Sequence, residues 1–268
     1  MARRSPHSRR SWLTSSVVPL AALLLSTVGI ALAVLLSVAT TPGTRPRPIA
    51  TTSTWGGNGL SALPALTSGD VIDAHSYGAI GQLEKNPLSS DGMINWIAAA
   101  QVVGLPLTVT EWNAEPFPLP DRHSLPLYVA GTASHQGWDA MMQYAYSQQA
   151  FNSGWRTADN WHAYNDPAML ATLPAAALLY RRADVQQATT RYVFAPTPAT
   201  LFDQDITPRN SVLLRTAMEK GRLQVAMPQT PELPWLKPSV IPADAQVLHD
   251  PAQSLLEADA VESVTDTG

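Results

Sequence analysis

The residues best placed to do chemistry are Glu111, Trp112 and Asn113, which close the stretch PLTVTEWNAE at residues 106–115. Leu107, Thr108, Val109 and Thr110 form a short apolar, β-branched run behind Gly104 and Pro106, the composition of a buried strand. A carboxylate, an indole and an amide then sit at the C-terminal end of that strand, before a loop punctuated by Pro116, Pro118 and Pro120. In parallel α/β folds that end is where ligands bind and chemistry is done. A second polar cluster, His75-Ser76-Tyr77, follows the strand-like run at residues 71–74. Asp73, His75 and Tyr77 alternate, so they face one side of that strand. An imidazole and a phenol that hydrogen-bond a carboxylate favour its ionised form, and an ionised carboxylate is a nucleophile. The bland alternatives are a surface salt bridge for Glu111 and a satisfied core position for His75. Two such clusters at neighbouring strand ends weigh against both.

The elements that must position these groups alternate between strand and helix. Residues 49–55 are β-prone and end in Trp55 before a Gly56-Gly57-Asn58-Gly59 turn signal. Residues 60–66 read as a short helix interrupted at Pro64, and 71–75 as the second strand. Residues 93–103 have the apolar character of a helix, with Ser90 or Asp91 as cap and Gly104 as stop. After the Glu111 strand, residues 124–134 start a helix. Residues 137–146 are a fourth apolar run, opened by Trp138, which fits a strand without excluding a helix. Strand–helix–strand alternation predicts a parallel sheet with crossover helices.

In order and spacing, residues 48–150 resemble the second half of a (β/α)8 glycoside hydrolase of clan A. His75-Ser76-Tyr77 is similar to the His-x-Tyr that ends the sixth strand of those barrels. Thr-Val-Thr-Glu-Trp-Asn is similar to the end of the seventh, which carries the nucleophile. The resemblance implies a partial TIM-type barrel and an O-glycosyl hydrolase of the retaining kind. Glu111 is then the nucleophile, with His75, Tyr77, Asn113, Trp138 and Trp55 at the sugar. The family's acid/base is a Glu after an Asn on the fourth strand, and no Asn-Glu pair occurs in this sequence. A full barrel of this kind needs roughly 250 residues, so four strands are expected to be missing. The expectation is a half-barrel with a nucleophile and no acid/base: a gene fragment, or a decayed relative that binds sugar without cleaving it. Glu115, Glu84, Asp73 and Asp139 are the other nearby carboxylates, none at a family acid/base position.

The rest of the chain frames this region. Arg3, Arg4, Arg9 and Arg10 precede residues 17–38, a stretch of 22 without a charge, long enough to cross a bilayer core with the N-terminus inside. Residues 1–39 are therefore a signal anchor, favoured by the length of the apolar run, or a signal peptide cleaved after Ala39. The globular part is expected outside the cytoplasm, membrane-anchored or secreted accordingly. Residues 40–48 read as a Pro-rich linker and 49–188 as the barrel domain, in which 151–166 is an aromatic loop and 167–180 the last helix. Recurrent Pro with short strands near 192–195 and 223–227 predicts a small β-rich appendage over 189–251, and the composition of 252–268 a disordered tail. The net charge of −4 gives no reason to expect nucleic acid, and the absence of Cys excludes disulfides, thiolate-held zinc and thiol nucleophiles. Eight Trp in 268 residues suit a carbohydrate partner. There is no Gly-rich phosphate loop, His-Glu-x-x-His or Gly-x-Ser-x-Gly, and no cofactor or metal is expected.

Overall fold

The computed structural model describes residues 50, 52–55, 59–79, 81–115, 119–148, 161–259 and 265–266. The expected membrane segment at residues 17–38 and the linker at 40–48 lie outside them. No helix among the described residues is long and apolar enough to cross a membrane.

Four strands form the first sheet: β1 (Ser53–Trp55), β2 (Ile72–Gly78), β3 (Leu107–Ala114) and β4 (Ala140–Gln143). Their order in space is their order in sequence, and every pair is parallel. A helix lies in each connection: α1 (Leu63–Leu66), α2 (Met93–Ala98) and α3 (Leu125–Gln136), with α4 (Pro167–Arg182) after β4. One face of the sheet is apolar and meets the helices. Ile72, Leu107 and Val109 are fully buried there, each contributing about 1.5–3 kcal/mol, and the Ser76 hydroxyl on that face donates to the Met93 carbonyl of α2. The opposite face carries Asp73, His75, Tyr77, Thr108, Thr110 and Glu111, which bond one another.

Helix α2 ends five residues short of the expected 103. Val102 leaves it to bridge Val225, and the Val103 amide donates to the Val225 carbonyl, so strand-like pairing takes the last turn. Neither Ser90 nor Asp91 caps it. The side chain of Asn95 accepts from the Gly92 amide instead, and Asp91 accepts from Trp96 Nε1.

The expected β-rich appendage at residues 189–251 is part of the α/β body. It holds β5 (Arg191–Phe194), α5 (Pro198–Asp203), α6 (Val212–Lys220), β6 (Arg222–Val225) and β7 (Gln246–Leu248). The three strands form a second parallel sheet in the order β6-β5-β7. Phe194, Leu213, Leu214, Leu223 and Val225 share one buried cluster with Ile72, Leu107 and Val109. A module whose apolar residues complete the same core is not an appendage. The run of Pro between residues 228 and 242 that prompted the β-rich expectation lies in the loop between β6 and β7, outside every strand. The tail is likewise not wholly disordered. Leu255 packs on the core, and the Asp266 carboxylate accepts from the Thr189 hydroxyl (2.8 Å) and the Thr190 amide.

Helix α3 stops at Gly137, whose φ of +70° is left-handed. A Cβ there would stand 1.8 Å from the end of the Gln187 side-chain amide. Gly137→Ala is therefore expected to lower stability by about 1–2 kcal/mol for the backbone alone, and more as Gln187 is displaced. The urea midpoint at unchanged m-value measures it.

Candidate functional site

A β-bulge in β3 aims the site. Ala74 pairs with Val109, but His75 pairs with Glu111, so Thr110 is an extra residue on β3. Bulges re-aim side chains, and here Thr110 and Glu111 both turn to the polar face of the sheet. After the bulge Trp112 returns to the helix side, where it lines a small apolar cavity of about 180 Å³ with Val129, Met141, Leu173 and Tyr180.

Glu111 meets two groups of β2 on the polar face. The Tyr77 hydroxyl donates to Glu111 Oε2 over 2.5 Å, and His75 Nδ1 lies 3.4 Å from the same oxygen. The Glu111 side chain is 23% exposed, so a ligand can reach it, whereas His75 is 9% exposed. Burial, then the hydrogen bond and charge of Glu111, push the Tyr77 phenol well above its ordinary value. It therefore remains a donor to the carboxylate throughout the neutral range. Behind His75 stands Asp73, 3% exposed, with Oδ2 3.2 Å from His75 Nε2. The chain Asp73–His75–Glu111–Tyr77 thus joins two adjacent strands.

Of the residues expected at this site, the structure brings Glu111, His75 and Tyr77 into contact. Trp55 ends β1 and pairs in register with His75. Asn113 and Trp138 fall elsewhere. Asn113 is fully buried, and its amide donates to the Tyr144 carbonyl while its oxygen accepts from the Ala114 amide (2.8 Å) and Arg122 (3.4 Å). It ties the ends of β3 and β4 together and is closed to a ligand. Trp138 precedes β4, beside Asp139, whose amide donates to the Leu107 carbonyl at the start of β3. That is the opposite end of a parallel sheet from Glu111, and the indole is 3% exposed, so Trp138 is a core residue.

Among the described residues, an aromatic group that does stand at the site is Trp161. It meets Tyr77 edge to face with ring centroids 5.2 Å apart and Tyr144 at 6.3 Å. The Ala145 amide, just beyond β4, donates to the Trp161 carbonyl, which brings the aromatic loop back to the sheet. Residues 151–166 carried the sequence signal for this loop, but Trp155 competes there and nothing local selects Trp161. Sequence reasoning also passed over Arg122 and its pairing with Asp166. Arg122 is 1% exposed, its Nε pairs with Asp166 and its Nη1 donates to the Ala114 carbonyl (2.6 Å). Asp166 in turn caps α4 by accepting from the Ala168 and Met169 amides. These residues frame the C-terminal end of β3 without touching Glu111.

Among the described residues no cluster of His, Asp and Glu has the arrangement of a metal site. No family model, curated protein or solved structure matches the chain.

Proposed function

We propose that this chain is a glycoside hydrolase-like protein of the retaining type, with Glu111 as its nucleophile, on a partial (β/α)8 barrel. The observation that carries the reading is the reachable Glu111 carboxylate, at the C-terminal part of a central parallel strand, held by Tyr77 and His75 from the neighbouring strand. A residue on a core strand between two fixed partners keeps the orientation that attack at an anomeric carbon requires. The topology supports the barrel. Doubly wound sheets reverse their strand order at the ligand crevice, whereas β1 to β4 run without reversal. The polar second face of the sheet suits the interior of a barrel mouth. Trp161, edge-on to Tyr77, takes the place of Trp138 as the aromatic group offered to a sugar.

Retaining hydrolysis uses two carboxyl groups about 5–5.5 Å apart, the second as acid/base. Asp73 lies on the far side of His75 from Glu111, saturated with hydrogen bonds, so it is no proton donor to a leaving group. The substrate class is an oligo- or polysaccharide, and residues 17–38 tether the protein to a membrane. The test is intact-mass analysis after incubation with a 2-deoxy-2-fluoro glycosyl dinitrophenolate series. A mass gain of one sugar, absent in Glu111→Gln, supports the reading. Wild-type protein that stays unmodified by every sugar favours instead a sugar-binding or structural relative without catalysis.

A further inference from the structure

Asp73 accepts four hydrogen bonds. Its Oδ2 accepts from the Ser53 hydroxyl (2.5 Å) and the Thr110 hydroxyl (2.7 Å), and its Oδ1 from the Thr108 hydroxyl (2.7 Å) and the Thr110 amide (3.2 Å). His75 Nε2 stands 3.2 Å from Oδ2 and 2.8 Å from Thr110 Oγ1. A hydroxyl has one proton, and the Thr110 proton points to Asp73. Toward His75, Thr110 therefore offers only lone pairs, as does the carboxylate. A bare nitrogen lone pair facing both would be repelled, so Nε2 carries a proton. The hydrogen bond made at one ring nitrogen fixes the state of the other, and the other nitrogen, Nδ1, is the one 3.4 Å from Glu111 Oε2.

We infer that Asp73 is a positioning residue: by holding a proton on His75 Nε2 it leaves Nδ1 as the ring atom that exchanges a proton with Glu111. When Glu111 is protonated, Nδ1 accepts that proton; when the carboxylate is needed, the proton resides on the ring. Nothing but the proton moves. The role of Glu111 as nucleophile rests on the reading above, whereas the placement of the proton rests on the hydrogen bonds alone.

The substitution that separates this from a merely structural carboxylate is Asp73→Asn. The Thr110 amide can only donate, so the Asn oxygen must take the Oδ1 position, which puts the NH2 group at Oδ2 facing His75 Nε2. Its two protons go to the Ser53 and Thr110 hydroxyls, which rotate to accept them, and the Thr110 proton, released from residue 73, turns to His75 Nε2. Nε2 then accepts, and the neutral ring's proton moves to Nδ1. Long-range 1H–15N spectra of the full-length chain, recorded where the ring is neutral and with His75 assigned from its loss in His75→Gln, read the tautomer directly. Expected are a protonated-type 15N shift at Nε2 in wild type, the same in Thr110→Val, and its loss in Asp73→Asn with the proton on Nδ1. In Glu111→Gln the Nδ1 resonance is expected to shift while the Nε2 proton stays. A wild-type ring protonated only at Nδ1 overturns the inference, and so does an Asp73→Asn ring that keeps the wild-type tautomer. Should Asp73→Asn not fold, the wild-type, Thr110→Val and Glu111→Gln spectra still decide it. Absence of a sugar adduct with every donor would sink the glycosidase reading and leave these spectra unaffected.

Discussion

Replacing Arg122 by Met is expected to destabilise the fold by about 3–5 kcal/mol, the cost of breaking a buried ion pair by removing one partner. The guanidinium is 1% exposed, and it links Asp166, at the start of α4, to the Ala114 carbonyl at the end of β3. Without it a carboxylate 2% exposed loses its counter-charge, and a strand-end carbonyl loses its donor. Domains are stable by only about 5–15 kcal/mol in all, so the variant should lose roughly a fifth or more of its stability and unfold at markedly lower urea. Removing both charges is much milder. Arg122→Met combined with Asp166→Asn should therefore recover at least half of the loss, because Asn still accepts from the Ala168 and Met169 amides as a helix cap. Equal urea midpoints for the single and double variants would show that packing of the Arg122 stem, and not its charge, holds the strand end.

The second large effect concerns turnover. An activated aryl glycoside should transfer its sugar to Glu111 and stop there, while an unactivated disaccharide should not react. A good leaving group departs without a proton, but hydrolysis of the ester then needs a base for water, a contribution of typically 10²–10⁴-fold. Tyr77 cannot serve, since burial and the neighbouring carboxylate hold its proton in place. A stopped assay should show one equivalent of phenol released per protein, with the covalent mass persisting, and azide should release it by attacking without a base. Continuous turnover of the disaccharide would contradict this and make Glu115 the first residue to mutate. Its amide donates to the Gly78 carbonyl, which places it at the same end of the sheet as Glu111.

What was legible in the sequence was local. The alternation Asp73-x-His75-x-Tyr77 put three polar groups on one face of a strand, and the composition around Glu111 marked a core strand ending in a carboxylate. What was not legible depends on partners far along the chain. Asn113 beside Glu111 reads as a ligand-facing amide until Arg122 and the Tyr144 carbonyl close over it. Trp138 opens an apolar run, but only the pairing of β4 with β3 shows that the run begins at the far end of the sheet from the site. The C-terminal region misled for a different reason. Proline frequency was averaged over residues that divide into Pro-free strands and a Pro-rich loop, and the parallel order β6-β5-β7 requires crossovers no local pattern reveals. The helix over residues 212–220, in contrast, carries its marks locally: Ser211 at its cap, whose hydroxyl accepts from the Leu214 amide, and Gly221 after it.

The bulge at Thr110 also fixes which changes of length β3 tolerates. Its apolar residues fall at 107, 109, 112 and 114, so the alternation slips phase once, between Val109 and Trp112. Loss of Thr110 would erase the slip and leave Glu111 opposite His75 with both apolar pairs still toward the helices. Loss of Thr108 or Asn113 would instead put one part of the strand out of step, exchanging core and solvent sides for every residue beyond it. A single codon at the bulge is thus the length change this strand absorbs with its carboxylate still facing the same way.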